Sequence, residues 1–129
     1  MIVFGEGTQT RDFLYVGDAV KAILALLDTP DAKGEIFNYG SKTETSILEI
    51  AEKICRHFDI NPETGIQKLP MRPGDSAKVV CDHTKFKARI GFAPETGMDE
   101  GLRKTIKWFE SLPYPREKLL ADVAVKNWE

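Results

Sequence analysis

The chain has 129 residues, 42% of them hydrophobic and 29% charged, with a net charge of −2 at pH 7. This composition is that of a globular domain large enough to bury a core, and it offers no basic surface for nucleic acid. No apolar run approaches the roughly 20 residues of a membrane span, and we expect no signal peptide. Two cysteines, Cys55 and Cys81, are too few for a disulfide framework, which predicts a reducing, cytoplasmic location.

Two apolar runs open the chain, over residues 2–4 and 13–16, and both are typical of strands because turn residues bound them. Gly5 and Gly7 lie between the runs, so the simplest prediction is a hairpin. Met1 leads straight into the first run without the polar residues usual at a domain terminus. We therefore expect the chain to begin within a larger fold.

Helical periodicity with end signals follows in three places. Asp18 is predicted to cap a helix that stops before Pro30, Ser46 and Glu49 form a capping box for a second helix, and Thr96 is predicted to open a last one. Shorter elements are predicted as strands over 35–39, 66–69 and 77–81 and as a helix between Asp82 and Gly91. Strands alternating with helices predict an α/β fold.

Two arginines stand in turns beside acids. Arg11 follows the Gly5 and Gly7 turn, and Arg72 opens a turn that ends at Asp75. A guanidinium group matches a phosphate or a carboxylate with two parallel hydrogen bonds. Two such groups from separate turns suggest a diphosphate held from two sides. Each arginine alone also fits a plainer role, in a hairpin loop or in a surface ion pair with a neighbouring acid.

Three apparent motifs fail on geometry. The Gly5-x-Gly7 pair lacks a third glycine and leads into a strand, so it is not a dinucleotide-binding loop. Tyr114 and Lys118 match Tyr-x-x-x-Lys, but prolines flank the tyrosine and exclude it from a helix interior. Cysteine and histidine occur two residues apart in two places, 55–57 and 81–83, whereas zinc ligands on one helix are three or four residues apart. A metal-dependent enzyme remains the weakest alternative.

Several sequence words nevertheless occur in an order that resembles one known family. They are FGEGTQTRDFLYV (4–16) with Asp18, FNYGS (37–41), TSI (45–47), RPGD (72–75), GFAP (91–94) and EGLRKT (100–105). Together they resemble the carboxyl-terminal part of the NAD-dependent nucleotide-sugar epimerases and dehydratases, which are extended short-chain dehydrogenases/reductases. The resemblance covers about residues 1–110.

The resemblance implies that Arg11 and Arg72 grip the diphosphate of a nucleotide sugar. Asp75 matches the position near the ribose hydroxyls, and Asn38 matches a strand-end residue near the nucleotide, although Asn38 also fits a local turn. The backbone of one strand would run beside the base. The implied substrate-binding residues are therefore Val3, Phe4, Arg11, Asn38, Arg72 and Asp75.

The family's glycine-rich cofactor loop and its Tyr-x-x-x-Lys pair would lie upstream of this chain, and the match at Tyr114 and Lys118 falls at the opposite end. The resemblance thus implies an incomplete Rossmann-type fold with short strands and four to five helices, over 1–112. Residues 113–129 are then a carboxyl-terminal extension, and its last stretch, 116–129, is either a short helix docked through Trp128 or a loose tail. NAD(P) is implied for the full-length family and no cofactor or catalytic residue for this chain, which alone should be inactive. The expected partners are a nucleotide-diphosphate sugar and either further copies of the chain or a missing amino-terminal half. The alternative is a non-catalytic interaction module with the same fold.

Overall fold

The computed structural model describes residues 1–120, so the Trp128 expectation lies outside the described residues. These residues form five short strands, one 3₁₀ turn and six α-helices, which confirms the α/β class with more helices than expected. The strands are β1 (Ile2–Phe4), β2 (Thr10–Arg11), β3 (Thr45–Ser46), β4 (Gln67–Leu69) and β5 (Lys78–Val79). The helices are α1 (Val16–Leu27), α2 (Ile47–His57), α3 (Pro62–Gly65), α4 (Thr84–Ile90), α5 (Met98–Glu110) and α6 (Arg116–Leu120), with the 3₁₀ turn at Pro30–Ala32.

The strands form two small sheets, and two loops connect them side by side. β1 pairs in parallel with β4 in the first sheet, while β2 lies between antiparallel β3 and parallel β5 in the second. The chain therefore passes from the first sheet to the second twice in the same direction, once through residues 5–9 and once through residues 70–77. Backbone hydrogen bonds join the two passages at both ends, from Gly5 N to Leu69 O (2.8 Å) and from Thr10 N to Ala77 O (2.9 Å).

The predicted hairpin is wrong, because β1 and β2 belong to different sheets. The strand predicted over 13–16 is wrong as well: residues 12–15 have no regular structure and Val16 already begins α1. Gly5 and Gly7 have φ values of +68° and +74°, which glycine adopts at little cost. A Cβ on Gly7 would lie 2.9 Å from side-chain atoms of both Val3 and Leu48, so this glycine also lets β1 approach α2 closely.

Helix ends follow the predicted signals only in part. Ser46 caps α2 by accepting a hydrogen bond from Glu49 N (3.0 Å), which confirms the Ser46 half of the predicted capping box, and Gly91 ends α4 in the left-handed conformation as predicted. Asp18 and Thr96 are not the caps of α1 and α5, where Tyr15 and Gly97 stand instead. They bind each other: Asp18 is buried in the first turn of α1 and accepts from Thr96 N (2.8 Å).

The strand predicted over 35–39 is wrong, since these residues pair with no strand of the described chain. The segment is extended across α4 and packs through its rings. The Tyr39 ring lies 4.4 Å from that of Phe86, which is fully buried, and Phe37 and Phe92 contact Phe86 edge-on. Side-chain packing therefore holds this segment where strand pairing was expected.

Two apolar surfaces remain exposed on the outside of the helices. The α1 stripe has large side chains in water, with Leu27 75% and Ile23 59% exposed. An open groove of about 620 Å³ runs between α5 and the segment before α1, lined mainly by Phe13, Tyr15, Leu102, Trp108 and Phe109. No helix within residues 1–120 is both long and apolar enough to cross a bilayer.

Candidate functional site

A pocket of about 210 Å³ lies where the two connecting loops cross from one sheet to the other. Its walls are β1, the end of β2, the start of α2 and the turn after β4. It is lined by Ile2, Val3, Phe4, Gln9, Arg11, Ile47, Arg72 and Asp75. Five of the six residues predicted from the sequence line this pocket. They meet because β1 and β2 run parallel to β4 and β5, which sets residues 5–11 beside residues 70–79.

Arg11 is held in one orientation by three acceptors. Its Nη1 donates to the carbonyl oxygens of Thr10 and Ser76, both at 2.8 Å, and its Nη2 donates to Asp75 Oδ1. The pair is partly shielded, since the side chains of Arg11 and Asp75 are 25% and 20% exposed. A guanidinium fixed in this way has lost its rotamer freedom before any ligand binds.

Asp75 is fixed from its other side by a residue that the sequence did not single out. Gln9 Nε2 donates to Phe4 O (3.0 Å) and lies 3.4 Å from Asp75 Oδ2. Asp75 N donates back to Arg72 O (3.3 Å), and Gly74 between them has a φ of +72°. The acid of the Arg72 turn thus pairs with the arginine of the other loop. Gln9 could have been found only once the two loops were known to lie side by side.

Arg72 lies against an aromatic ring. Its Cζ stands 4.4 Å from the centroid of the Phe4 ring, a distance that gives a cation–π contact. The contact places the guanidinium over the Phe4 ring on β1, in the pocket that the Arg11–Asp75 pair also lines. The two arginines therefore reach the pocket from separate parts of the chain, Arg11 from β2 and Arg72 from the turn after β4.

Asp12, the next residue after Arg11, ties β2 to two other segments. Its carboxylate accepts from Ser41 N (2.7 Å), Ser41 Oγ (2.6 Å), Lys42 N (3.0 Å) and Cys81 N (3.0 Å). Burial alone would raise the pKa of Asp12, but these hydrogen bonds outweigh it and lower the pKa. Gly40 allows the approach, because a Cβ there would lie 2.4 Å from Cys81 Cβ. Sequence reasoning missed Asp12 because its partners are distant in the chain.

Asn38 does not line the pocket and is exposed, in the segment where the predicted strand is missing. A strand end would have aimed its side chain at a ligand bound at the sheet edge. Without that strand, the neighbouring residues Phe37 and Tyr39 are held by ring contacts with Phe86. Its predicted role stays a prediction.

The Gly5–Gly7 turn does not fit a dinucleotide cofactor. The Gly5–Gly7 turn joins β1 to β2, whereas a dinucleotide cradle places its glycines between a strand and a helix N-terminus. Tyr114 precedes α6, so it is outside the helix, as its flanking prolines predict. Within residues 1–120 no three histidine, cysteine or acidic side chains are placed to hold a metal ion.

Comparison with known proteins decides the family. The family described as GDP-mannose 4,6 dehydratase matches residues 1–105. The chain belongs to this family of NAD-dependent nucleotide-sugar epimerases and dehydratases. A UDP-N-acetyl-alpha-D-glucosaminuronate decarboxylase of Bacillus cytotoxicus is 35% identical over 87% of the chain and 36% of its own length. A dTDP-glucose 4,6-dehydratase of Streptomyces niveus is 34% identical over 83% of the chain and 31% of its own length.

Part of each of two solved epimerase structures superposes on most of this chain. A UDP-glucose 4-epimerase of Thermotoga maritima, solved with UDP-glucose, superposes with a TM-score of 0.75 at 30% identity, over 85% of this chain and 34% of its own. A UDP-glucuronic acid 4-epimerase of Bacillus cereus, in complex with UDP-glucuronic acid and NAD, gives 0.76 at 28% identity over 84% and 34%. The chain spans about a third of the length of these relatives.

Proposed function

We propose that the chain is the nucleotide-sugar-binding part of an NAD-dependent nucleotide-sugar epimerase or dehydratase. One observation carries the proposal: Arg11 on β2 and Arg72 in the turn after β4 line a single pocket. Two guanidinium groups can neutralise a diphosphate that neither could hold alone. The names of the related structures, which include UDP-glucose and UDP-glucuronic acid, are consistent with a ligand of this class.

The proposed ligand lies along β1. Its diphosphate is held by Arg11 and Arg72, and its ribose hydroxyls donate to the Asp75 carboxylate, an acceptor of the required kind. The base runs beside the backbone of Val3 and Phe4, where β1 forms one wall of the pocket. We keep Asn38 as a more distant contact of the nucleotide.

The sugar and the chemistry need residues beyond this pocket. Its volume of about 210 Å³ is below the roughly 300–1,000 Å³ of complete small-molecule sites, so it suits only part of a nucleotide sugar. We propose that a cofactor-binding half with Tyr-x-x-x-Lys supplies NAD(P) and the catalytic groups, and that the chain alone is inactive. We further propose a cytoplasmic location, since Cys55 and Cys81 are free thiols.

Calorimetric titration with UDP-, GDP- and dTDP-sugars tests the binding proposal. Arg11→Ala and Arg72→Ala should each weaken binding by roughly 1.5–3 kcal/mol, because each removes a charged hydrogen-bond partner of the diphosphate. Arg56→Ala is the matched control, since Arg56 lies on the exposed surface of α2 in an ion pair with Glu52, away from the pocket.

Equal affinity of the three variants would contradict the diphosphate assignment. If no nucleotide sugar binds to the wild type, the titration is repeated after mixing with a cofactor-binding half from a relative. Binding restored by the mixture supports a shared site. Persistent absence of binding favours the interaction module.

A further inference from the structure

The pocket is not a simple anion site, because it also contains an acidic side chain. The lining residues include two arginines and one aspartate, a formal charge of +1, and the aspartate is paired with one of the arginines. An anion that contacts Arg11 therefore approaches a carboxylate of like charge. We propose that Asp75 is an internal counterion of Arg11 that competes with phosphate anions and so makes the site select nucleoside diphosphates over simple phosphates.

The competition is built into the site, because Asp75 cannot simply turn away. One carboxylate oxygen of Asp75 accepts a hydrogen bond from Arg11 Nη2, and the other lies 3.4 Å from Gln9 Nε2. The Gln9 amide in turn donates a hydrogen bond to Phe4 O. The tight turn from Arg72 fixes the backbone of the acid. With four-fifths of its side chain shielded, the carboxylate interacts with a neighbouring charge more strongly than an exposed one would.

A nucleoside changes the sign of that interaction. Inorganic pyrophosphate offers only negative oxygens to Asp75, so it meets electrostatic repulsion from the carboxylate. A nucleoside diphosphate adds ribose hydroxyls, which donate hydrogen bonds to a carboxylate. Selectivity of this kind comes from penalising the wrong ligand as much as from binding the right one. The inference rests on the proposed function, because it takes the same pocket as the diphosphate site.

The test compares pyrophosphate and UDP as probes by calorimetry on wild type and Asp75→Asn, which keeps the shape of the side chain and removes its charge. We expect pyrophosphate to bind roughly five- to tenfold more tightly to the variant, and the preference for UDP over pyrophosphate to fall by at least about tenfold. Adding Arg11→Ala to Asp75→Asn should remove the gain. Glu52→Gln, which changes the net charge equally on the surface of α2, should leave both affinities unchanged.

Pyrophosphate binding that is no tighter in Asp75→Asn than in wild type overturns the inference, and so does an equal gain in Glu52→Gln. If Asp75→Asn melts early, Asp75→Ser gives the same comparison. The two proposals fail separately. Wild type that binds nucleotide sugars through both arginines, without a pyrophosphate gain in the variant, overturns only the counterion. An Arg11-dependent pyrophosphate gain without nucleotide-sugar binding supports the counterion and contradicts the proposed function.

Discussion

Asp12 and Asp18 hold loops together by accepting backbone hydrogen bonds. Asp18 is nearly fully buried and receives Thr96 N (2.8 Å) and Glu95 N (3.2 Å) across 77 or more residues of sequence. Burial by itself would raise the pKa of Asp18, but hydrogen bonds from Thr96 and Glu95 and the charge of Lys21 lower it on balance. The pKa of Asp12 is lowered by the same kind of contacts. Both groups link stability to pH.

A folded-state pKa below the unfolded value of about 3.9 stabilises the protein above that value, and the contribution is lost as the pH falls through the folded pKa. We expect Asp18→Asn to lower the unfolding free energy at pH 7 by about 1–3 kcal/mol, because a buried network loses its charged acceptor. The difference from wild type should shrink below pH 4. Urea denaturation between pH 7 and pH 3 measures both effects.

Asp31→Asn, in the exposed 3₁₀ turn, is the control for this experiment. Its denaturation curves should follow those of wild type at every pH. A constant difference between Asp18→Asn and wild type from pH 7 to pH 3 would contradict the linkage.

Among the elements, the end signals at Ser46 and Gly91 were predicted correctly, whereas the caps predicted at Asp18 and Thr96 were not, because these two residues bind each other across the chain. Ser46 and Gly91 act through neighbours three or four residues away, so the sequence is sufficient to place them. β2 has only two residues, too few to show alternation, and exists because β3 and β5 flank it. Residues 13–16 have the composition of a strand. However, Asp12, just before them, is hydrogen-bonded to Cys81 N, and Val16 is already the first residue of α1.

The site shows the same division. Arg11 and Arg72 are recognisable by their turn context, and the structure brings them to one pocket. Gln9 acts only through Phe4 O and Asp75, contacts that require the parallel loops to be known. Residue type in a turn was thus predictable, whereas pairing between turns was not.

Substitution of the α2 cap should have a measurable, local effect. Ser46→Ala removes the acceptor for Glu49 N and should lower the unfolding free energy by about 1 kcal/mol. Ser46→Asp offers another good cap acceptor and should recover most of the loss. Chemical denaturation of the three proteins measures the difference. Equal stability of the alanine and aspartate variants would show that the side-chain cap contributes nothing.

At the scale of the whole molecule, the main feature is the apolar face of α1, which is exposed to solvent. Its large side chains, Val16, Val20, Ile23, Leu24 and Leu27, are each about half exposed or more. Contiguous apolar patches of this kind usually mark a contact with another protein. Within the proposed function, that contact is with the cofactor-binding half or, without it, with another copy of the chain.

We therefore expect the purified chain to self-associate, and Ile23→Glu with Leu27→Glu to shift it towards monomer, because charges on this face cannot be buried cheaply. Sedimentation velocity over a concentration series measures the shift. Lys107→Glu on exposed α5 changes the net charge by the same two units and should leave association unchanged. A wild-type protein that sediments as a monomer at all concentrations would contradict this expectation.

The two loops that connect the sheets also bear on the stability of the fold. The two sheets have only two and three very short strands, which gives each sheet little stability of its own. The fold therefore depends on contacts that join one sheet to the other. A ligand that contacts Arg11 on one sheet and Phe4 on the other adds a further contact between the two sheets. By mass action it adds about 2.7 kcal/mol of stability at a hundredfold excess over its Kd. The nucleotide sugar would then stabilise the fold of the domain as well as being its ligand.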